Sequence, residues 1–299
     1  MKKTVFSYFA IATLTLSAAF TSCDEPRSYI VPSTMTMTTT KEGEVVIFMA
    51  GYGTVNIDWG DETGIETHRL QSFTDFTDFY YDEQHLYIRN YSTDSSRTIT
   101  ITTTGEGITH LYCSDNQLTS LDVSNNTVLM FLNCRNNQLT NLDVSNNTTL
   151  IELICGYNQL TNLDVNKNTM LTELYCRNNQ LTSLDVSKNT ALTYFNCNYN
   201  QLTNLDVSKN TALTVLGCGF NQLTSLELSN NTALEILCCS NNRLTAPALN
   251  ALFETLHAND EYKYIDIEGN SGAFTCNRSI ATNKGWIFRH IMFKFLDKK

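Results

Sequence analysis

The chain has 299 residues and a net charge of −10, with 30 Asp+Glu against 20 Lys+Arg. That balance argues against a nucleic-acid partner, which needs a basic stripe facing phosphate, and against electrostatic binding to anionic lipid. The length suggests two domains of ordinary size.

Met1-Lys2-Lys3, a largely apolar stretch from Val5 to Phe20 and then Thr21-Ser22-Cys23 read as an export signal over residues 1–22. The stretch is too short and too rich in Thr and Ser for a good membrane span. A cysteine directly after small residues resembles a bacterial lipobox, which implies cleavage before Cys23 and lipidation of its thiol. Asp24-Glu25 resemble the acidic surface-export tag of Bacteroides-type lipoproteins. The resemblance implies an outer-membrane location, lipid-anchored and exposed at the cell surface, with the membrane touched only through the anchor.

Residues 23–34 are expected to form a short lipidated tether. Residues 35–104 alternate like strands: Val45-Val-Ile-Phe-Met49, Thr54-Val-Asn-Ile-Asp-Trp59, His85-Leu-Tyr-Ile88 and Thr98-Ile-Thr-Ile-Thr102, separated by Gly and Asp clusters. This spacing predicts a small antiparallel β-sandwich. Asp58-Trp59-Gly60-Asp61, followed by His85-Leu86-Tyr87, resembles the polycystic-kidney-disease (PKD) type of sandwich, with Glu62 where that turn usually has its second Gly.

From residue 105 to 271 the chain repeats. Cysteine stands at Cys113, Cys134, Cys155, Cys176, Cys197, Cys218 and Cys239, always 21 residues apart. Each copy reads L-x-x-L-x-C-x-x-N-Q-L-T-x-L-D-V-S-x-N-T-x, and a weaker eighth begins at Tyr262 with Ile265, Ile267 and Asn270 in register. A short fixed period of this kind is a solenoid, here the leucine-rich-repeat pattern, so the fold class is mainly β with a rod of about eight coils. Free cysteine behaves as a small hydrophobe and suits a narrow core. In-register side chains of a parallel stack point the same way, about 4.8 Å apart, so reduced thiols are expected rather than disulfides. A collinear thiol row lacks the convergence that structural zinc needs, so neither a metal nor a cofactor is expected.

The asparagine rows from Asn116 to Asn242 and from Asn126 to Asn231 are expected to satisfy backbone groups at turns. The row Asp122, Asp143, Asp164, Asp185, Asp206 and Glu227 reads as a solvated acidic stripe, with weak calcium binding as its alternative. Thr245-Ala246-Pro247 can start a helix whose Leu249, Leu252, Phe253 and Leu256 share one face. Residues 272–299 are expected to cap the apolar end through Cys276, Ile280 and Trp286, followed by a hydrophobic tail.

The Cys-for-Leu repeat resembles internalin J repeats of Gram-positive pathogens, and more closely the secreted leucine-rich-repeat lipoproteins of Bacteroides-type bacteria. The resemblance implies a cell-surface adhesin or recognition protein, and transfers no particular ligand. Strand positions beside the invariant rows vary from coil to coil, which points to the concave face. Its candidate ligand-binding residues are Tyr112, Phe131, Arg135, Tyr157, Glu173, Tyr175, Arg177, Tyr194, Tyr199 and Phe220, since aromatics and Arg dominate recognition hot spots. The expected ligand is a protein or glycoprotein, with host mucin or matrix as candidates. Glycan binding as an accessory of a polysaccharide-uptake system, and a structural surface-coat role, are the alternatives. The scattered histidines, with no phosphate loop or nucleophile elbow, give no sign of an enzyme.

Overall fold

The structure, a computed structural model, describes residues 32–72, 85–258 and 262–290. The expectations on the export signal, on Cys23 and on the tail beyond residue 290 lie outside the described residues. Among the described residues no helix is long and apolar enough to cross a membrane.

The front region holds β1 (Ser33–Thr39), β2 (Gly43–Asp58), β3 (Ile65–Arg69), β4 (Leu86–Tyr91) and β5 (Arg97–Tyr112). Strand β6 (Leu118–Asp122) follows within the first coil. The Val45–Met49 and Thr54–Trp59 runs, expected as two strands, are one strand of 16 residues. Gly51-Tyr52-Gly53 between them is a bulge rather than a turn, marked by register shifts against β5 at Ala50/Gly51 and Tyr52/Thr54. Glycine is required there: Gly53 sits at φ 101°, and a Cβ on it would lie 2.0 Å from the Thr104 carbonyl oxygen. The pattern alternates core and surface on both sides of the bulge, with Val45, Ile47, Met49, Val55 and Ile57 fully buried.

Strand β5 also has 16 residues and crosses residue 104 without a break. Its first half pairs with β1 and with the second half of β2. Its last residues, His110–Tyr112, pair in parallel with β7 (Phe131–Asn133). From there β8 (Glu152–Ile154), β9 (Glu173–Tyr175), β10 (Tyr194–Asn196), β11 (Val215–Gly217) and β12 (Ile236–Cys238) follow in register, one per coil. Strands β13 (Lys263–Asp266) and β14 (Trp286–Phe288) complete a 14-stranded sheet. One hydrophobic core runs from Met35 to Trp286.

Helix α1 (Ala246–Thr255) interrupts the coil pattern before β13. Thr245 is its N-cap, its side chain accepting from the Ala248 N–H, with Pro in the first turn. Leu249, Leu252 and Phe253 face the core. The short α2 (Ser279–Thr282) precedes β14. The Trp286 indole donates to the His257 carbonyl at 3.0 Å, and Lys284 Nζ donates to the Glu254 carbonyl at 2.6 Å, just past and at the C-terminal end of α1.

Candidate functional site

The interior fixes where the outer face can vary. All seven ladder cysteines are fully buried, and the nine described cysteines are free thiols. Burial pushes the Cys134 and Cys176 thiols up to about 12, so neither is a ready nucleophile or metal ligand at neutral pH. Cys238 is buried too, 3% exposed, although its place in the repeat predicts an outward side chain; its Sγ lies 3.2 Å from Ser240 Oγ, and a Cβ on Gly219 would come within 3.1 Å of it.

Next to each cysteine stands an asparagine that joins two coils. The Leu160 N–H donates to Asn179 Oδ1 at 3.0 Å, and Asn179 Nδ2 donates to the carbonyls of Cys155 and Cys176, both at 3.1 Å. The same set recurs at Asn137, Asn158, Asn200, Asn221 and Asn242. At the front end Asn116 makes this connection to β2 instead: the Val46 N–H donates to its Oδ1 at 3.1 Å, and its Nδ2 donates to the Val46 carbonyl at 2.6 Å. At the other end Asn270 accepts from the Leu244 N–H at 3.0 Å. From Asn147 to Asn231 the second asparagine row donates from Nδ2 to two carbonyls in the preceding coil, as Asn168 does to Val144 and Asn147. Each carboxylate of the acidic stripe accepts a backbone N–H two residues on, as Asp143 does from Ser145 at 2.8 Å. That bond holds the Asp143 carboxyl below its usual range.

The outer face of the sheet divides the candidate residues into two groups. Tyr175 and Arg177 are buried, 4% and 7% exposed. Tyr175 donates from Oη to Glu173 Oε2 at 2.7 Å and stacks on Tyr194 with centroids 4.5 Å apart. Burial, then the Glu173 charge, pushes the Tyr175 phenol up. Glu152, in the same strand layer, is also buried. Tyr112 packs edge-on against Phe48, and Phe131 stacks on His110 at 4.4 Å. Burial, then His85, holds His110 down at about 4, so it is neutral at pH 7. Arg135, Glu173 and Tyr194 are half-buried.

The accessible aromatics are Tyr157, Tyr199 and Phe220, 36–41% exposed. They occupy one column, the residue just before the ladder asparagine. That residue is left-handed in every coil: Asp115 φ 60°, Asn136 53°, Tyr157 55°, Asn178 53°, Tyr199 56°, Phe220 54° and Asn241 52°. Asp and Asn tolerate this conformation; bulky aromatics rarely adopt it. The three aromatics support one another. Tyr199 and Phe220 stack at 4.0 Å and 11°. The gap at Asn178 is filled by Arg177, whose guanidinium carbon lies 5.0 Å from the Tyr157 ring and 5.6 Å from the Tyr199 ring. A continuous strip of rings and guanidinium therefore spans four coils. Residue type alone names these aromatics as candidates; that they share a left-handed column while Tyr175 and Arg177 are enclosed emerges only from the backbone.

At the far end of the sheet, Asp266, Glu268 and His290 bring one ligand atom each within 4.8 Å of one another. The repeat pattern alone does not bring these three residues together. Its signal is that the eighth coil breaks the repeat with two acids on the strand face.

A family model for leucine-rich repeats, covering two copies, matches residues 169–210. Among curated proteins no sequence relative was found. The functional domain of InlJ from Listeria monocytogenes, which includes a cysteine ladder, is 29% identical, with a TM-score of 0.41, over 62% of this chain and 50% of that one. Internalin inlF of Listeria monocytogenes is 22% identical with a TM-score of 0.45, over 57% of this chain and 56% of its own. The chain thus spans about half the length of these two structures. Internalin C2 of the same species is 22% identical with a TM-score of 0.52, over 61% of this chain and 80% of that one. That likeness is one of fold: residues 108–270 build a leucine-rich-repeat rod with an internal column of cysteines.

Proposed function

We propose that this is a cell-surface recognition or adhesion protein. Its rod binds a protein or glycoprotein through the concave face, and Cys23 carries the lipid anchor that holds it at the outer membrane. The front strands serve as a PKD-like spacer, and the segment after the eighth coil serves as a cap. The observation that carries the recognition role is the exposed column of Tyr157, Tyr199 and Phe220, bridged by the enclosed Arg177. Bulky side chains stand there in a conformation the repeat elsewhere gives to Asn or Asp. Nothing in the packing of the core requires them, since their column faces solvent. Backbone strain at an accessible aromatic cluster marks sites kept for binding.

The test is a binding panel of mucins, matrix proteins and glycans against the chain lacking its first 23 residues. Binding that is lost in a Tyr157→Ala/Tyr199→Ala/Phe220→Ala triple variant supports the assignment. Binding to isolated glycans alone moves the reading to a polysaccharide-uptake accessory. Binding indifferent to the triple variant removes the strip from the site.

A further inference from the structure

The eighth coil departs from the others at two adjacent places on the outer sheet face. The third strand position is uncharged in every earlier parallel strand from Asn133 to Cys238, and is Asp266 in β13. Two residues on, the face carries Glu268. The parallel pairing of β13 with β14, extended by a bond from the Arg289 N–H to the Ile265 carbonyl at 3.0 Å, then brings His290 over both acids.

The Asp266 side chain is fully enclosed, whereas His290 and Glu268 are open to solvent at 58% and 66%. Asp266 Oδ1 accepts the Glu268 N–H at 3.0 Å, which aims Oδ2 at His290. His290 Nδ1 lies 3.2 Å from that oxygen and 3.4 Å from Glu268 Oε2. Two ligands held about 2.1 Å from a tetrahedral zinc ion are themselves about 3.4 Å apart, and the two distances from His290 match edges of such a site.

We propose that Asp266, Glu268 and His290 bind a divalent transition-metal ion, zinc fitting best, at the end of the sheet. An imidazole nitrogen with two carboxylate oxygens suits zinc; calcium and magnesium prefer oxygen-only shells. Three protein ligands leave a coordination position for water or for a group on a partner. The ion clasps the chain after β14 to the eighth coil, so it stabilises the last strand. This site is independent of the aromatic strip.

The test is zinc chloride titrated calorimetrically into the full chain, stripped with EDTA and dialysed, with melting followed in parallel. One zinc per chain and a zinc-dependent rise in Tm are expected. His290→Gln and Glu268→Gln, both at exposed side chains, should each weaken zinc binding at least about tenfold while melting normally in EDTA. Cys276→Ser, at the half-buried thiol, should bind zinc as the parent does. Three results would overturn the site: no zinc uptake, uptake that both glutamine variants retain, or calcium bound as tightly as zinc. The group would then be a histidine hydrogen-bonded to two carboxylates.

Discussion

In the described residues between Ser33 and Tyr112 the backbone is satisfied mostly by other backbone. Strands β2 and β5 have 16 residues each and pair with one another over most of that length. In coils two to seven the strands have three residues, and the turns that follow find their partners in asparagine side chains. Long strands need no particular side chain to close their hydrogen bonds; short ones do. The front is therefore irregular in sequence and the rod strictly periodic, although one core and one sheet pass through both.

The sharpest way to break this contrast is to remove a side-chain partner on each side of it. Asn179→Ala leaves the buried Leu160 N–H without its acceptor and removes one of the two asparagine bonds at each of the Cys155 and Cys176 carbonyls, and should cost about 3 kcal/mol in urea unfolding. Thr38→Ala, which removes an exposed bond to Thr98 between β1 and β5, should cost less than about 0.5 kcal/mol. Comparable losses would mean that the asparagine row is decoration on a sheet that holds itself.

A second probe sits where the two regions meet. His110 ends β5, faces Phe131 of the second coil, and is held down at about 4 by burial and by His85. An unfolded histidine titrates near 6.5. Between those values the unfolded chain binds the proton and the folded chain does not, so stability falls as pH drops from 6.5 to 4. The loss should approach about 3 kcal/mol by pH 4. Denaturant melts of the parent and of His110→Phe, compared across this range, measure it. Equal pH profiles would show that His110 is not kept neutral by its packing.

The cysteine column gives a smaller effect. Cys176 is wholly enclosed and apolar in its behaviour, so Cys176→Ser puts a hydroxyl where the core offers little. The expected cost is roughly 1–3 kcal/mol. A neutral result in calorimetric melting would mean that this core is wetter or looser than its burial implies.

These contrasts also explain what could be read from the chain before any coordinates. The coil length, the cysteine column and both asparagine rows were legible because each is a packing or hydrogen-bonding demand repeated every 21 residues. Helix α1 was legible from the spacing of Leu249, Leu252 and Phe253 behind Thr245 and Pro247. The unbroken β2 was not, because Gly51 and Gly53 look like turn punctuation, and only the approach of Thr104 turns them into a bulge. In the candidate site the aromatic residues could be named, but not their division into enclosed and accessible. Tyr175 ends β9 and Tyr157 stands three residues past β8. One is closed over by Glu173 and Tyr194, and the other sits at positive φ past the strand end. The Asp266–Glu268–His290 group arises from the pairing of β13 with β14 across more than twenty residues, a contact with no sequence signature.

The smallest expected change in stability separates structure from purpose in the left-handed column. Tyr199→Asn gives position 199 the residue type the repeat uses at 136, 178 and 241. It relieves a strain of about 1 kcal/mol and forfeits a ring stack on Phe220 of about 0.5–1.5 kcal/mol. The two nearly cancel, so Tm should move by no more than a few degrees in either direction. If the column serves only the rod, this variant loses nothing else. If the strip is the recognition surface, ligand binding falls sharply while the melt stays put. Asn178→Tyr, which extends the strip into its one gap, should leave binding intact or strengthen it. A variant that melts like the parent yet no longer binds would show that the rod carries its strained tyrosines for a partner and not for itself.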